Sequence, residues 1–288
     1  MIFTKLQDLL NAIRILVNDD VQIDTKNIQK GEATLTAISI GNGEIRPIVY
    51  MEHYNDLFNE RGYYAVAMAM IEACENATIK AKEELNININ NFSIWEHVKD
   101  NLILCIAPAN TNNGYITNPY LDLELYVRVN LGDGTCKVNE QMLKMWNKTK
   151  EEVFITAMNK QGYIIKSMFD TISELLNSDN NFDDMSDIIE NSIFDTGQKV
   201  ITNKEKSFGA SVLYHKDILS NVANQYGKDI YIIPSSIHEV IVTPINHSVT
   251  KEDMNQMIKE VNETEVSPEE RLSNHVYIFR KDTMNIEW

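Results

Sequence analysis

The order of apolar and polar positions along the chain predicts interleaved helices and strands. Residues 3–17 and 64–85 carry apolar side chains at helical spacing, and the second stretch is rich in strong helix formers. Residues 120–131 instead alternate between apolar and polar side chains, which is typical of an antiparallel strand with one buried face. Further helices are predicted at 95–98, 139–146, 149–176, 215–226 and 250–262, and further strands at 21–24, 33–40, 102–107, 135–138, 200–203, 210–214, 229–234, 239–244 and 275–279.

These elements predict an α+β fold, with a mixed or largely antiparallel sheet and helices packed on one face. Asn139 and Thr149 stand where N-caps are expected, and Gly227 stands where a helix would end. A loop of Asn, Thr and Gly at 110–119 marks a change in the sequence pattern along the chain. We therefore expect an N-terminal subdomain over residues 1–110 and a C-terminal subdomain over residues 119–288.

Composition indicates an ordinary globular protein of 288 residues, 43% of them hydrophobic and 24% charged. No apolar run approaches the roughly 20 residues that span a bilayer, and the N-terminal helix lacks the features of a signal peptide. Cys74, Cys105 and Cys136 lie far apart without CxxC spacing, so disulfides and a cysteine-based zinc site are not expected. These features predict a cytoplasmic protein with no membrane partner.

The net charge of the chain limits which classes of macromolecule are expected to bind it. The chain has 26 Lys and Arg residues against 42 Asp and Glu residues, which gives a formal net charge of −16. Such a surface repels phosphate backbones, so direct nucleic-acid binding is not expected. One interpretation of the acidity is a partner protein with a basic surface. The other is a solvated acidic surface without a specific partner.

Candidate chemistry concentrates in residues 230–273, which we call the signature segment. An apolar strand there ends just before Ser235, Ser236, His238 and Glu239. Side chains alternate across a strand, so Ser236 and His238 would share one face and Glu239 would lie on the other. Ser236 is thus a candidate nucleophile and His238 a candidate base, and all four are candidate binding residues. The structural alternative is a turn at the serines, with His238 in a hydrogen bond.

A second polar group closes the predicted helix at 250–262. Glu263 and Glu265 are candidate carboxylates for acid–base chemistry, and Asn262 is a candidate binding residue. Side chains at such a position also serve to satisfy helix-end carbonyls, contact a neighbouring loop, or face water. The Ser-Pro pair at 267–268 predicts the start of a short helix.

No recognised metal or cofactor motif is present. A zinc site at His238 and Glu239 would need distant further ligands. Asp179, Asp183 and Asp184 lack the glycine and terminal glutamate of a calcium loop. Neither GxGxxG nor a P-loop occurs. We therefore predict no metal and no cofactor.

Several longer strings resemble one bacterial family. YLDLELYVRV (120–129) and EQMLKMWNKTKEEVFITAM (140–158) resemble the middle of a domain-of-unknown-function family that is frequent in anaerobic gut bacteria, often on mobile elements. PSSIHE (234–239) and VNETEV (261–266) are similar to its C-terminal signature. The resemblance covers nearly the whole chain and departs mainly at a longer helical and acidic insert at 164–195. It implies a bacterial intracellular protein and assigns no catalytic residue.

Two functional hypotheses follow. The first is a non-enzymatic protein-binding accessory, in its sharpest form an acidic mobile-element or anti-defence inhibitor of a nucleic-acid-handling protein. The second is a hydrolase-like enzyme that uses Ser236, His238 and a carboxylate such as Glu263 or Glu265. The first predicts a partner, whereas the second predicts that these four side chains converge in one pocket.

Overall fold

The structure is a computed structural model that describes residues 2–30, 33–42, 46–85, 92–131, 134–178, 197–246 and 248–288. Contacts group the chain into two compact units, Met1–Ser93 and Ile94–Trp288. Three antiparallel sheets and their helices confirm the predicted α+β class. Across the described residues, no helix has the length and apolar character needed to cross a membrane.

In the first unit, two helices pack with a three-stranded sheet of order β1-β2-β3. Its elements are α1 (Ile2–Leu16), β1 (Gln22–Lys30), β2 (Ala33–Gly41), β3 (Ile48–Tyr50), a 3₁₀ turn (Met51–Tyr54) and α2 (Asn55–Leu85). Ile13, Ile38 and Met70, from α1, β2 and α2, are completely buried in one core. Helix α2 starts ahead of its predicted start and crosses a non-helical Gly62, whose φ of +75° is accessible to glycine without steric cost.

The second unit begins with a four-stranded sheet in which β6 pairs with β4, β5 and β7. Its elements are α3 (Trp95–Val98), a 3₁₀ turn (Lys99–Asn101), β4 (Leu102–Pro108), β5 (Thr117–Tyr120), β6 (Leu123–Asn130), β7 (Thr135–Lys137), α4 (Glu140–Trp146) and α5 (Lys150–Lys160). The Asn139 side chain caps α4, and Thr149 and Glu152 form a capping box at α5, as predicted. These caps satisfy helix N–H groups that have no partner within the helix.

A six-stranded sheet completes the second unit in the order β13-β12-β10-β11-β9-β8. Its elements are β8 (Tyr163–Ser167), α6 (Met168–Ser178), β9 (Lys199–Asn203), a 3₁₀ turn (Gly209–Tyr214), α7 (Lys216–Tyr226), β10 (Ile230–Pro234), β11 (Glu239–Pro244), α8 (Lys251–Thr264), β12 (Tyr277–Arg280) and β13 (Asn285–Glu287). Successive residues of β10, such as Ile232 and Ile233, are both buried, so this strand is covered on both faces.

The prediction that one face of β6 is exposed to water was wrong. Glu124 and Tyr126, expected to face water, are 8% and 3% exposed. The Glu124 carboxylate accepts hydrogen bonds from the N–H groups of Thr111 and Asn112, at 3.0 and 2.8 Å, so the loop folds over the strand. A buried carboxylate is tolerated because these donors replace its lost hydration.

Three predicted elements differ from the structure. The helix expected over 149–176 is interrupted by β8, because Ile165 pairs with Ile201 of β9 and non-local pairing overrides local helix preference. The strand expected over 210–214 is a 3₁₀ turn, since its first N–H groups donate to carbonyls of residues 237 and 238. The helix expected at 267–268 is a single turn, closed by the Glu270 N–H on the Ser267 carbonyl.

Several predictions concern segments at the edges of the described chain. Asp179, Asp183 and Asp184, and the part of the acidic insert after residue 178, lie outside the described residues. The subdomain division was predicted between residues 110 and 119. Strand β4, ahead of that loop, pairs along its whole length with β6 beyond it.

Candidate functional site

Ser235 and Ser236 lie in the link between β10 and β11. Ser236 Oγ accepts a hydrogen bond from the backbone N–H of His238 at 3.0 Å. The Ser236 N–H in turn faces the Glu239 carbonyl at 3.3 Å. This is a local serine turn, in which the hydroxyl satisfies the backbone two residues ahead. Ser235 and Glu239 are half-buried on either side of it.

The imidazole of His238 has a partner at each nitrogen. Its Nδ1 accepts the backbone N–H of Phe208 at 3.1 Å, which places the ring proton on Nε2 in the neutral form. Nε2 lies 3.4 Å from a carboxylate oxygen of Glu270. The ring also contacts the Phe208 ring, with centroids 5.4 Å apart. The predicted hydrogen-bonding role of His238 is therefore present, with a partner 30 residues away in sequence.

The backbone of His238 is the point where three segments meet. Its carbonyl accepts the Gly209 N–H at 2.9 Å and the Thr202 hydroxyl at 2.8 Å. A Cβ at Gly209 would lie 2.4 Å from the Asn203 nitrogen and 2.7 Å from the His238 carbonyl oxygen. Only glycine allows so close an approach of backbone to backbone. The string PSSIHE thus joins β9, β11 and the 3₁₀ turn at Gly209–Tyr214.

The second polar group divides between the interior and the surface. Asn262 is 3% exposed, and its amide donates to the Ser273 carbonyl at 2.9 Å and to Asn274 Oδ1 at 2.8 Å. Glu263 and Glu265 are exposed at the end of α8. Among the hydrogen bonds and ion pairs of the described residues, none connects either carboxylate to His238.

Sequence reasoning missed a polar cluster centred on Asp122. One carboxylate oxygen is 2.8 Å from Nε2 of His275, and the other accepts the Tyr277 hydroxyl at 2.9 Å. Burial raises the pKa of the Tyr277 hydroxyl, so it stays a donor. His275 Nδ1 lies 3.3 Å from the Val276 carbonyl, so neither ring nitrogen is free for a substrate. The residues are more than 150 positions apart, and no spacing pattern signals the contact.

A buried network lies beneath the 3₁₀ turn. The Ser211 hydroxyl is fully buried, donates to the Phe208 carbonyl, accepts the Gln161 amide at 2.9 Å and lies 3.0 Å from the Tyr163 hydroxyl. The Tyr163 ring contacts His215, whose Nε2 is buried with no hydrogen-bond partner. Desolvation lowers the pKa of His215, which favours the neutral ring. This network connects α5, β8 and the turn.

Two open cavities are lined by residues outside the signature segment. One of about 440 Å³ is lined by Arg14 and residues 19–24, and another of about 380 Å³ by residues between Glu140 and Lys150. Within the described residues, no three His, Cys, Asp or Glu side chains are placed to hold a metal ion. The geometry of the signature segment is therefore that of a joint between elements.

Comparison with known families supports the resemblance as far as a family of unknown function that covers nearly the whole chain. A family described as a family of unknown function, DUF5688, matches residues 4–281. The chain belongs to the DUF5688 family. No curated protein and no solved structure matches this DUF5688 chain. The match covers the signature segment, the Asp122 cluster and the capped helices α4 and α5. It assigns no catalytic residue.

Proposed function

We propose that this protein is a non-enzymatic binding protein whose partner is a protein with a basic surface. One observation carries the proposal: three polar residues of the signature segment, Ser236, His238 and Asn262, are used in internal hydrogen bonds. Ser236 Oγ accepts from a backbone N–H, His238 Nδ1 accepts from Phe208, and the Asn262 amide holds the turn at 273–274. Chemistry on a substrate would require these atoms to leave bonds that hold the fold.

The net charge of −16 supports a basic partner. An acidic surface steers positively charged proteins toward it and raises their association rate, and salt weakens this attraction. The same field repels the phosphates of nucleic acid. A protein that itself binds nucleic acid presents the complementary basic groove.

In its sharpest form, the proposal is that the chain occupies the basic groove of a nucleic-acid-handling protein and inhibits it. A defence enzyme is the kind of partner that fits. The mobile-element setting implied by the resemblance supports this form, because a mobile element gains from blocking host defence. The protein would act in the bacterial cytoplasm, where such enzymes and their substrates meet.

Binding with competition tests the proposal. The purified chain recovers partners from a bacterial lysate, and each recovered protein is then purified and titrated against the chain at rising salt. We expect saturable binding that weakens steeply as the ionic strength passes about 0.1 M, and displacement by a DNA or RNA oligonucleotide. An unrelated acidic protein of similar net charge is the control. The proposal fails if no saturable partner is found, or if the control binds the same proteins equally.

The hydrolase alternative stays a prediction with its own test. Wild type and Ser236→Ala are assayed on activated esters and amides, with urea unfolding of both. Turnover that disappears in Ser236→Ala while the unfolding midpoint is unchanged would favour the enzyme. No turnover by the wild type would leave Ser236 with its turn-forming role alone.

A further inference from the structure

We infer that the outer face of helix α8 is the surface that binds the basic partner. This inference rests on the proposed function and assigns it a site. We define the α8 outer face by six of the exposed residues of the helix and its C-cap: Gln256, Met257, Glu260, Val261, Glu263 and Glu265. It includes both carboxylates that the sequence marked as candidate chemistry, in a different role.

The α8 outer face presents two apolar side chains to solvent. Met254 and Ile258, on the adjoining face of the helix, are buried in the core with Tyr231 and Ile278. Met257 and Val261 are 48% and 45% exposed. They stand four residues apart, so they are neighbours on the helix surface. A small apolar centre of this kind suits one anchoring side chain from a partner.

Carboxylates surround this apolar centre. From residue 251 to residue 265, α8 and its C-cap carry five acidic side chains (Glu252, Asp253, Glu260, Glu263 and Glu265) and two lysines (Lys251 and Lys259), a balance of 2 − 5 = −3. Asp253 is committed to the capping box with Thr250. Glu260 is three residues from Met257 and Glu265 is four residues from Val261, so these exposed carboxylates adjoin the apolar centre, and Glu263 adjoins Glu260. They can meet cations of a partner.

The occupant that fits is a basic amphipathic segment of another protein. Its apolar side chain would cover Met257 and Val261, while its lysines or arginines meet Glu260 and Glu263. A second copy of this chain fits poorly, because it carries the same net charge of −16 and would bring carboxylates against carboxylates.

Helix α8 is held rigidly on its inner side, which favours binding. The Thr250–Asp253 capping box closes its first turn, and Asn262 fixes its last turn to residues 273–274. A partner therefore meets a formed helix and bears no cost for ordering it.

Two double variants of equal net charge distinguish binding through the α8 outer face from binding through net charge alone. Glu260→Lys with Glu263→Lys changes the outer face, and Glu72→Lys with Glu75→Lys is the matched control on α2. Both pairs are exposed, three residues apart and within helices, and both bring the net charge to −16 + 4 = −12. Met257→Gln removes the apolar centre without a change of charge. Circular dichroism and urea unfolding check that each variant folds.

The probes are two fluorescent peptides of equal charge, one of lysine and leucine with helical periodicity, the other of lysine and serine. We expect the wild type to bind the lysine–leucine peptide more tightly. Glu260→Lys with Glu263→Lys should weaken that binding at least ~10-fold, and the α2 control less than ~3-fold. Met257→Gln should weaken binding of the lysine–leucine peptide and leave binding of the lysine–serine peptide unchanged.

Equal losses in the two double variants would overturn the α8 assignment, because net charge alone would then explain binding. So would equal affinity of the wild type for the two peptides. These outcomes leave the proposed function standing, since a basic partner could still bind elsewhere. The proposed function fails separately, in the partner experiment, when the wild type binds no basic protein saturably.

Discussion

Gly209 lies at the closest backbone approach in the signature joint, and this makes a sharp stability prediction. In Gly209→Ala the added carbon would meet the Asn203 nitrogen at 2.4 Å and the His238 carbonyl oxygen at 2.7 Å. Backbone cannot retreat as a flexible side chain can, so we expect the free energy of unfolding to fall by about 3 kcal/mol. Urea unfolding measures this. Gly134→Ala, with open space around its Cβ, is the control and should change it little. Equal stability of the two variants would contradict the joint.

The imidazole of His238 is predicted to stabilise the fold. In His238→Ala the N–H of Phe208 loses its acceptor, and an unsatisfied half-buried donor costs about 2 kcal/mol. The exposed His97 provides the control, and His97→Ala should be close to neutral. Urea unfolding compares the two. A His238→Ala protein of wild-type stability that no longer binds its partner would assign the ring to function instead.

At the residue scale, sequence identified short-range relationships and missed distant ones. The serine turn was anticipated because it involves neighbouring residues, whereas the hydrogen bond of the His238 ring was anticipated without its partner, Phe208, which is 30 residues away. The contact of Asp122 with His275 and Tyr277 was not, since it depends on how strands far apart in sequence meet. No periodicity encodes such a contact, and a single sequence supplies no other signal for it.

At the element scale, helix ends were predictable because caps are local chemistry, and Thr149 offers a test. Its hydroxyl accepts the Glu152 N–H, while the Glu152 carboxylate accepts the Thr149 N–H. Thr149→Ala should lower the free energy of unfolding by about 1 kcal/mol. Thr156, on the same helix, bonds only the preceding turn, so Thr156→Ala is expected to change it by a few tenths at most. Urea unfolding of the two variants gives the comparison, and an unaffected Thr149→Ala protein would show that the cap is dispensable.

Strand β8 shows why other elements were not predictable. Its residues continue the apolar pattern of α5, and only pairing with β9 makes them extended. The 3₁₀ turn after Gly209 has the same origin, because its conformation depends on carbonyls of residues 237 and 238. Local sequence leaves such choices open, and tertiary contacts decide them.

For the whole molecule, the α+β class followed from counting elements, whereas the order of strands in the sheets did not. The six-stranded sheet places β10 between β11 and β12, with α8 between the latter two in sequence. Sequence alone cannot choose this order, since several orders bury the same apolar faces. The joint at His238 and the hydrogen bonds from Asn262 to residues 273–274 are contacts between distant segments that this order contains.

Buried and half-buried tyrosines distributed over the second unit predict that this unit loses stability at alkaline pH. Desolvation raises the pKa of Tyr120 and Tyr226 to about 12 and raises those of Tyr126, Tyr163 and Tyr277 as well. The unfolded chain releases these protons near pH 10, before the folded chain does. The stability that these tyrosines contribute is therefore fully present below about pH 10, and it is lost as the pH rises from there toward 12.

Unfolding by urea at a series of alkaline pH values, together with tyrosinate absorbance, measures this fall. Tyr120→Phe removes one of the groups that titrate, so its stability should decline less steeply with pH. The same substitution at pH 7 should cost about 1 kcal/mol, because the hydroxyl donates to the Leu213 carbonyl at 2.9 Å. Tyr115→Phe, at an exposed ring, serves as the control and should keep the wild-type slope. If Tyr120→Phe also keeps that slope, the Tyr120 hydroxyl ionises without cost to the fold, and the alkaline limit must come from the other buried tyrosines.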